Sequence, residues 1–117
     1  MRPGVLAAAR RQPKQPRDMT DDIIRRQTIL PDGPAAAARL LEPVLVEAAG
    51  EGAAPVSLTL DYAASARPGA AVSVEARLDR ATRTLAFVYG RLLTERGDVI
   101  ATGTAVFRRV TDITKAA

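Results

Sequence analysis

The stretch from Pro34 to Ala49 constrains this chain more than any other, because it reads as a helix with apolar residues on nearly every side. Ala35, Ala38, Leu41, Leu45 and Ala48 recur at three- and four-residue spacing, and Leu40, Val44 and Val46 widen the stripe. A helix of that kind cannot lie on a surface with one face in water; other elements must wrap it. Pro34 opens it, as proline at a first helical position should, and Gly50 and Gly52 stop it. An interior proline loses a helical hydrogen bond, so Pro43 predicts a kink or break near Leu41–Pro43.

The material for the wrap follows directly. Val56, Leu58, Leu60 and Tyr62 alternate with Ser57, Thr59 and Asp61, the period of a half-buried strand. After the turn Arg67-Pro68-Gly69, Val72, Val74, Ala76 and Leu78 alternate with polar residues in the same way. Asp79–Arg83 connects tightly into a strand over Thr84–Glu95, apolar on both faces from Leu85 to Tyr89 and therefore central or interfacial. Arg96-Gly97-Asp98 turns the chain into a last strand over Val99–Val110. Ahead of the helix, Ile23, Ile24, Ile29 and Leu30 flank a polar middle and favour a strand ended by Pro31-Asp32-Gly33-Pro34. A short helix capped by Thr20-Asp21-Asp22 is the other reading of that segment. Gly90 and Gly103, inside strands, mark bulges or the close approach of another backbone.

Charge and length set the outer limits. The 117 residues suit one domain, here residues 21–111, with a flexible basic tail over 1–20 and a short tail over 112–117. Arg2, Arg10, Arg11, Lys14 and Arg17 stand in the first tail without an acid, so the net charge of +4 belongs to it and not to the folded body. With only four aromatic residues and no basic body, recognition of nucleic acid by stacking is disfavoured. The chain has no Cys and no His. That excludes disulfides, a thiolate nucleophile, Cys/His zinc sites and an imidazole general base, so any chemistry falls to carboxylates, hydroxyls, cations or backbone amides. No metal site and no cofactor are expected. No apolar run approaches the ~20 residues of a membrane span, Val5–Ala9 is too short for a signal-peptide core, and a cytoplasmic location is expected. Arginine far outnumbers lysine, which fits a GC-rich bacterial genome.

Strand, buried helix, then four antiparallel strands amount to an α+β fold with an antiparallel sheet wrapped around a central helix. In that frame, Val56–Val110 resembles the hotdog-fold acyl-CoA thioesterase superfamily, in particular its phenylacetate-pathway and 4-hydroxybenzoyl-CoA thioesterase branch. The similar features are the apolar strand closing on Arg67-Pro68-Gly69, the turn with Thr82-Arg83-Thr84, the long strand through Tyr89, and the hairpin Glu95-Arg96-Gly97-Asp98-Val99-Ile100-Ala101. The resemblance implies a thioester-binding site at the start of the helix. Where the family has a His-Gly-Gly-like turn, this chain has Gly33-Pro34-Ala35, and Glu42 stands at the position of the family's catalytic carboxylate. On that analogy Glu42 is base or nucleophile, and amides at Gly33, Ala35 and Ala36 form the oxyanion site. Glu47, one turn on, is the fallback carboxylate, and Val46 replaces a hydroxyl found in some members.

The same analogy assigns substrate contacts. Thr59 could orient a water or a pantetheine amide, although a cross-strand threonine is the simpler reading, and Asp61 is expected to face solvent. Arg67, Arg80, Arg83, Arg108 and Arg109 are candidates for the phosphates of coenzyme A, which guanidinium forks bind bidentately. Coenzyme A enters only as part of the substrate. A single sheet around one helix leaves an edge exposed, so a homodimer or a dimer of dimers is expected, with the cleft between protomers. Two other functions remain open: a non-catalytic hotdog protein that binds an acyl thioester or serves as a scaffold, and a protein whose basic tail docks on an anionic partner.

Overall fold

The computed structural model describes residues 23–110; the two tails lie outside the described residues. Six elements follow in order: β1 (Ile24–Ile29), α1 (Ala36–Ala49), β2 (Ala54–Tyr62), β3 (Ala71–Ala81), β4 (Leu85–Thr94) and β5 (Val99–Arg108). The segment before the helix is thus a strand. The five strands form one antiparallel sheet in the order β1-β3-β4-β5-β2, and α1 lies across β3 and β4. β4 is the middle strand, as its apolar run predicted.

Alternation decides which side chains meet the helix. Val72, Val74 and Ala76 of β3 and Ala86, Val88 and Leu92 of β4 point toward α1 and are buried. Their counterparts on the other sheet face are half-buried, among them Phe87 and Tyr89, which are covered by the guanidinium groups of Arg80 at 4.4 Å and Arg77 at 5.0 Å. Leu41 and Leu45 of α1 are fully buried against the sheet. Beneath them Gly90 and Gly103 stand opposite each other across β4 and β5. A Cβ on Gly90 would come within 2.9 Å of the Glu75 carbonyl oxygen and 3.0 Å of Leu45 Cδ2. Neither glycine sits at a register shift; what a Cβ would meet is the Glu75 carbonyl of the neighbouring strand at Gly90, Leu60 of β2 at Gly103, and the leucine side chains of α1 at both.

Two expectations for the helix are corrected. It runs without a break through Pro43. The carbonyl that Pro43 leaves unpaired is that of Arg39, four residues back, and Arg39, Glu42, Pro43, Val46 and Glu47 form the exposed face of the helix. Water can satisfy the carbonyl there, while Leu41 and Leu45 hold both sides of the proline to the sheet. The five-stranded sheet wraps the opposite side of α1. The helix also begins at Ala36 and not at Pro34, because Gly33 (φ 95) and Ala35 (φ 59) take left-handed conformations that turn the chain first. Its C-terminus falls where expected, with the Gly50 N–H donating to the Val46 and Glu47 carbonyls.

The edge strand β1 is tied at both faces. Arg26 donates to both carboxylate oxygens of Glu47 on the helix, at 2.9 and 2.8 Å. On the opposite face Glu75 of β3 receives Arg25 of β1 at 3.1 Å and Arg91 of β4 at 2.9 Å. Burial alone would raise the Glu75 pKa; the hydrogen bonds and charges of Arg91 and Arg25 together outweigh it and hold the carboxyl below its ordinary value.

Candidate functional site

The start of α1 is built to leave amides free. The first N–H groups of a helix have no partner within it, and no side chain among the described residues caps them here. The turn before them divides into used and unused donors. Gly33 N–H donates to the Asp32 carboxylate at 2.8 Å, and Pro34 has no N–H. Ala35, Ala36 and Ala37 are therefore the amides at the helix start that a ligand could meet, and the helix dipole places partial positive charge at that end.

These three residues form one wall of a cleft of about 490 Å³. Its floor is Leu30, Leu92 and Ile100, all buried. The facing wall is Tyr62 and the run Ala63-Ala64-Ser65-Ala66, which follows β2. The N–H groups of Ala63 and Ala64 both donate to the Ile100 carbonyl, at 2.8 and 3.1 Å, which fixes this wall to the floor. The volume falls within the ~300–1,000 Å³ range of small-molecule pockets. The arrangement can hold an apolar group beside a carbonyl whose oxygen meets helix-start amides.

The residues assigned from sequence are only partly gathered here. Ala35 lines the cleft, and Gly33 shapes the turn, though its amide is taken by Asp32. Glu42 is on the exposed helix face, about 9 Å along the axis from Ala36, and does not line this protomer's cleft. Glu47 is engaged by Arg26. Thr59 faces Thr104 on the sheet side away from the helix, and Asp61 shares that side opposite Thr102.

The arginines separate by sheet end. Arg67 lies in the turn whose Gly69 N–H donates to the Leu30 carbonyl, at the cleft end. Arg80, Arg83, Arg108 and Arg109 lie at the other end, where Arg109 donates to the Thr82 carbonyl at 2.6 Å and Arg80 stacks on Phe87. Along β4, the cleft residue Leu92 and Phe87 opposite Arg80 are five residues apart, about 17 Å, and none of those four arginines lines this protomer's cleft. Sequence reasoning missed the wall over Ala63–Ala66, for which a run of small residues directly after a strand was the available signal. It also missed Arg39, whose Nη1 donates to the Asp32 carbonyl at 3.0 Å and braces the turn.

An antiparallel sheet with one helix laid across it, whose N-terminus opens on an apolar cleft, defines the hotdog fold. Residues 33–108, well over half of the chain, match the family described as Acyl-CoA thioesterase N-terminal domain, and the chain belongs to it. Among curated proteins none matches by sequence. Solved structures with the same fold include a phenylacetic acid degradation-related protein from Ralstonia eutropha JMP134, at 21% identity and TM-score 0.65, with 79% of this chain and 80% of that one covered. Zebra fish thioesterase superfamily member 2 aligns at 21% identity and TM-score 0.66, covering 74% of this chain and 73% of its own. A Streptococcus mutans protein bound to acetyl CoA aligns at 13% identity and TM-score 0.64, covering 74% and 79%. At these identities the likeness is one of fold.

Proposed function

We propose that the protein binds a CoA thioester in a cleft completed by a second copy, and hydrolyses it. The observation that carries this reading is the uncapped start of α1, whose Ala35–Ala37 amides open on an apolar cleft of about 490 Å³ in a member of the acyl-CoA thioesterase family. The binding of acetyl CoA by the Streptococcus mutans protein of the same fold supports coenzyme A as the carrier. The thioester oxygen would sit on the amides, which stabilise the charge that grows on it during attack. Glu42, exposed and too far along its own helix, would come from the second copy. Acting as base, it takes a proton from water, the water oxygen bonds to the carbonyl carbon, and the C–S bond breaks. The thiolate of CoA leaves and takes up a proton. Arg67, at the same end of the sheet, would meet phosphate. No helix among the described residues is long and apolar enough to cross a membrane.

Hydrolysis of a panel of aliphatic and aryl acyl-CoAs by wild type and Glu42→Gln tests the reading. Loss of a general base predicts a fall in kcat of at least about 100-fold with little change in CoA binding. Turnover indifferent to the substitution would remove Glu42 from the chemistry. A second reading, thioester binding without catalysis, is favoured by one specific feature: the turn before the helix has lost two donors, Pro34 by its chemistry and Gly33 to Asp32. CoA binding without turnover in wild type would establish it.

A further inference from the structure

The turn that sets the helix-start amides is tied to the helix by a single side chain. On its near side Leu30 is fixed, donating to the Ala70 carbonyl at 2.9 Å and accepting from the Gly69 N–H at 2.8 Å. On its far side the backbone N–H of Arg39 donates to the Ala35 carbonyl at 2.9 Å and starts the helix ladder. Between these points, two hydrogen bonds hold residues 31–34 among the described residues. That from the Gly33 N–H to the Asp32 carboxylate stays within the turn. The other, from Arg39 Nη1 to the Asp32 carbonyl at 3.0 Å, joins the turn to α1. It closes over a stretch where Gly33 and Ala35 both stand at positive φ, a conformation an alanine keeps only when its surroundings hold it.

Helix stability does not explain an arginine at this place. Arg39 is the fourth residue of α1, and a cation near a helix N-terminus is repelled by the partial positive charge there. It is exposed, so packing does not explain it either. What it makes is the bond to Asp32, and the charge it brings to the amide end has the sign that a developing oxyanion needs. We propose that Arg39 is a positioning residue for thioester hydrolysis: by holding the Asp32 carbonyl it keeps the Ala35–Ala37 amides in the array that receives the oxygen as charge grows on it. This rests on the reading that the start of α1 binds and hydrolyses a CoA thioester. The contacts lie within one chain, so the proposal is independent of how a second copy completes the cleft. An array needed more by the tetrahedral intermediate than by the bound substrate acts on kcat and leaves KM nearly unchanged.

Steady-state hydrolysis of acyl-CoAs by the full chain and its Arg39→Ala and Arg39→Lys variants tests this, beside urea unfolding and NMR order parameters of the backbone amides. Arg39→Ala should lower kcat at least about tenfold, with KM within about twofold of wild type and the urea midpoint barely moved. Order parameters should fall over residues 32–37 and hold in the strands. One carbonyl asks for one donor and not a bidentate fork, so Arg39→Lys should recover kcat to within about threefold of wild type. Glu42 stands three residues on along the same exposed face, so the pH dependence of kcat is followed as well, and its acid limb should stay in place in Arg39→Ala. A shifted limb would place the effect on Glu42 and overturn the proposal. So would an unchanged kcat, a loss that Arg39→Lys does not recover, or a fall in urea midpoint with order parameters lowered throughout α1. In each of those cases wild type still turns over, and the hydrolysis reading stands. Absence of turnover in wild type would overturn both.

Discussion

Ala35 is the non-glycine residue at positive φ among the described residues, and it caps the start of the helix on which the proposed function turns. An alanine in that conformation costs ~1–2 kcal/mol relative to its ordinary ones. Glycine would remove that cost but add freedom to the unfolded chain. The balance predicts that Ala35→Gly stabilises by about 0.5–1 kcal/mol, read as a raised urea midpoint at unchanged slope; a lowered midpoint would show that the alanine methyl packs favourably. Glu75 carries a different kind of information. Its folded pKa is lowered, so its two arginine pairs contribute fully above the ordinary glutamate value near 4.3, and that contribution is lost as pH falls through the lower folded value. Glu75→Gln should therefore cost about 1–2 kcal/mol at pH 7. The gap to wild type in urea unfolding should shrink below about pH 4; a gap unchanged down to pH 2.5 would mean that packing, not charge, is what the substitution removes.

At the scale of elements, helix and sheet fit through the pair Gly90 and Gly103. Gly90→Ala sets a methyl against the fixed Glu75 carbonyl, whereas the nearest atom to a Cβ at Gly103 is Leu60 Cδ2 at 3.1 Å, the end of a side chain that can move. Overpacking predicts a loss of about 2–3 kcal/mol for Gly90→Ala and a smaller one for Gly103→Ala, and equal losses in denaturant titrations would refute the distinction. Pro43 is the opposite case. It sits mid-helix on the exposed face, so Pro43→Ala restores a hydrogen bond to the Arg39 carbonyl without touching the core. A gain of about 1–2 kcal/mol in thermal unfolding is expected, and no gain would mean that the helix already bends to accommodate the ring. These elements were legible from alternation and from punctuation by Gly and Pro, because both act over a few residues. The continuity of the helix was not: whether a proline breaks a helix depends on what anchors the residues beside it, and Leu41 and Leu45 meet strands distant in sequence. The site was legible only at its helix start, through Gly33 and Ala35. Its second wall is made by Ala63–Ala66, brought there by sheet order, and that order sets the other candidate arginines away from the cleft lining.

For the whole molecule the two sheet edges differ in a way that bears on assembly. β1 presents Arg25 and Arg26, both drawn into ion pairs, and charged edges resist further strand addition. β2 presents Val56, Leu58 and Tyr62, which are 51%, 38% and 64% exposed. An edge whose backbone has no strand partner among the described residues and whose side chains are apolar is where a second copy gains most by docking, since strand pairing and burial act together. The same edge ends in Tyr62 at the cleft, so a copy docked there would also approach the helix-start amides. This is the link between assembly and chemistry: Glu42 does not line its own protomer's cleft, and a second copy at the β2 edge is the source that the proposed mechanism requires. In the proposed dimer, Leu58→Arg should therefore shift sedimentation toward monomer with the fold retained by circular dichroism, and the proposed acyl-CoA hydrolysis should fall with the dimer fraction. A variant that stays dimeric would place the interface elsewhere on the surface. A variant that becomes monomeric and keeps full turnover would show that Glu42 of a second copy is not needed, and that the cleft works within one chain.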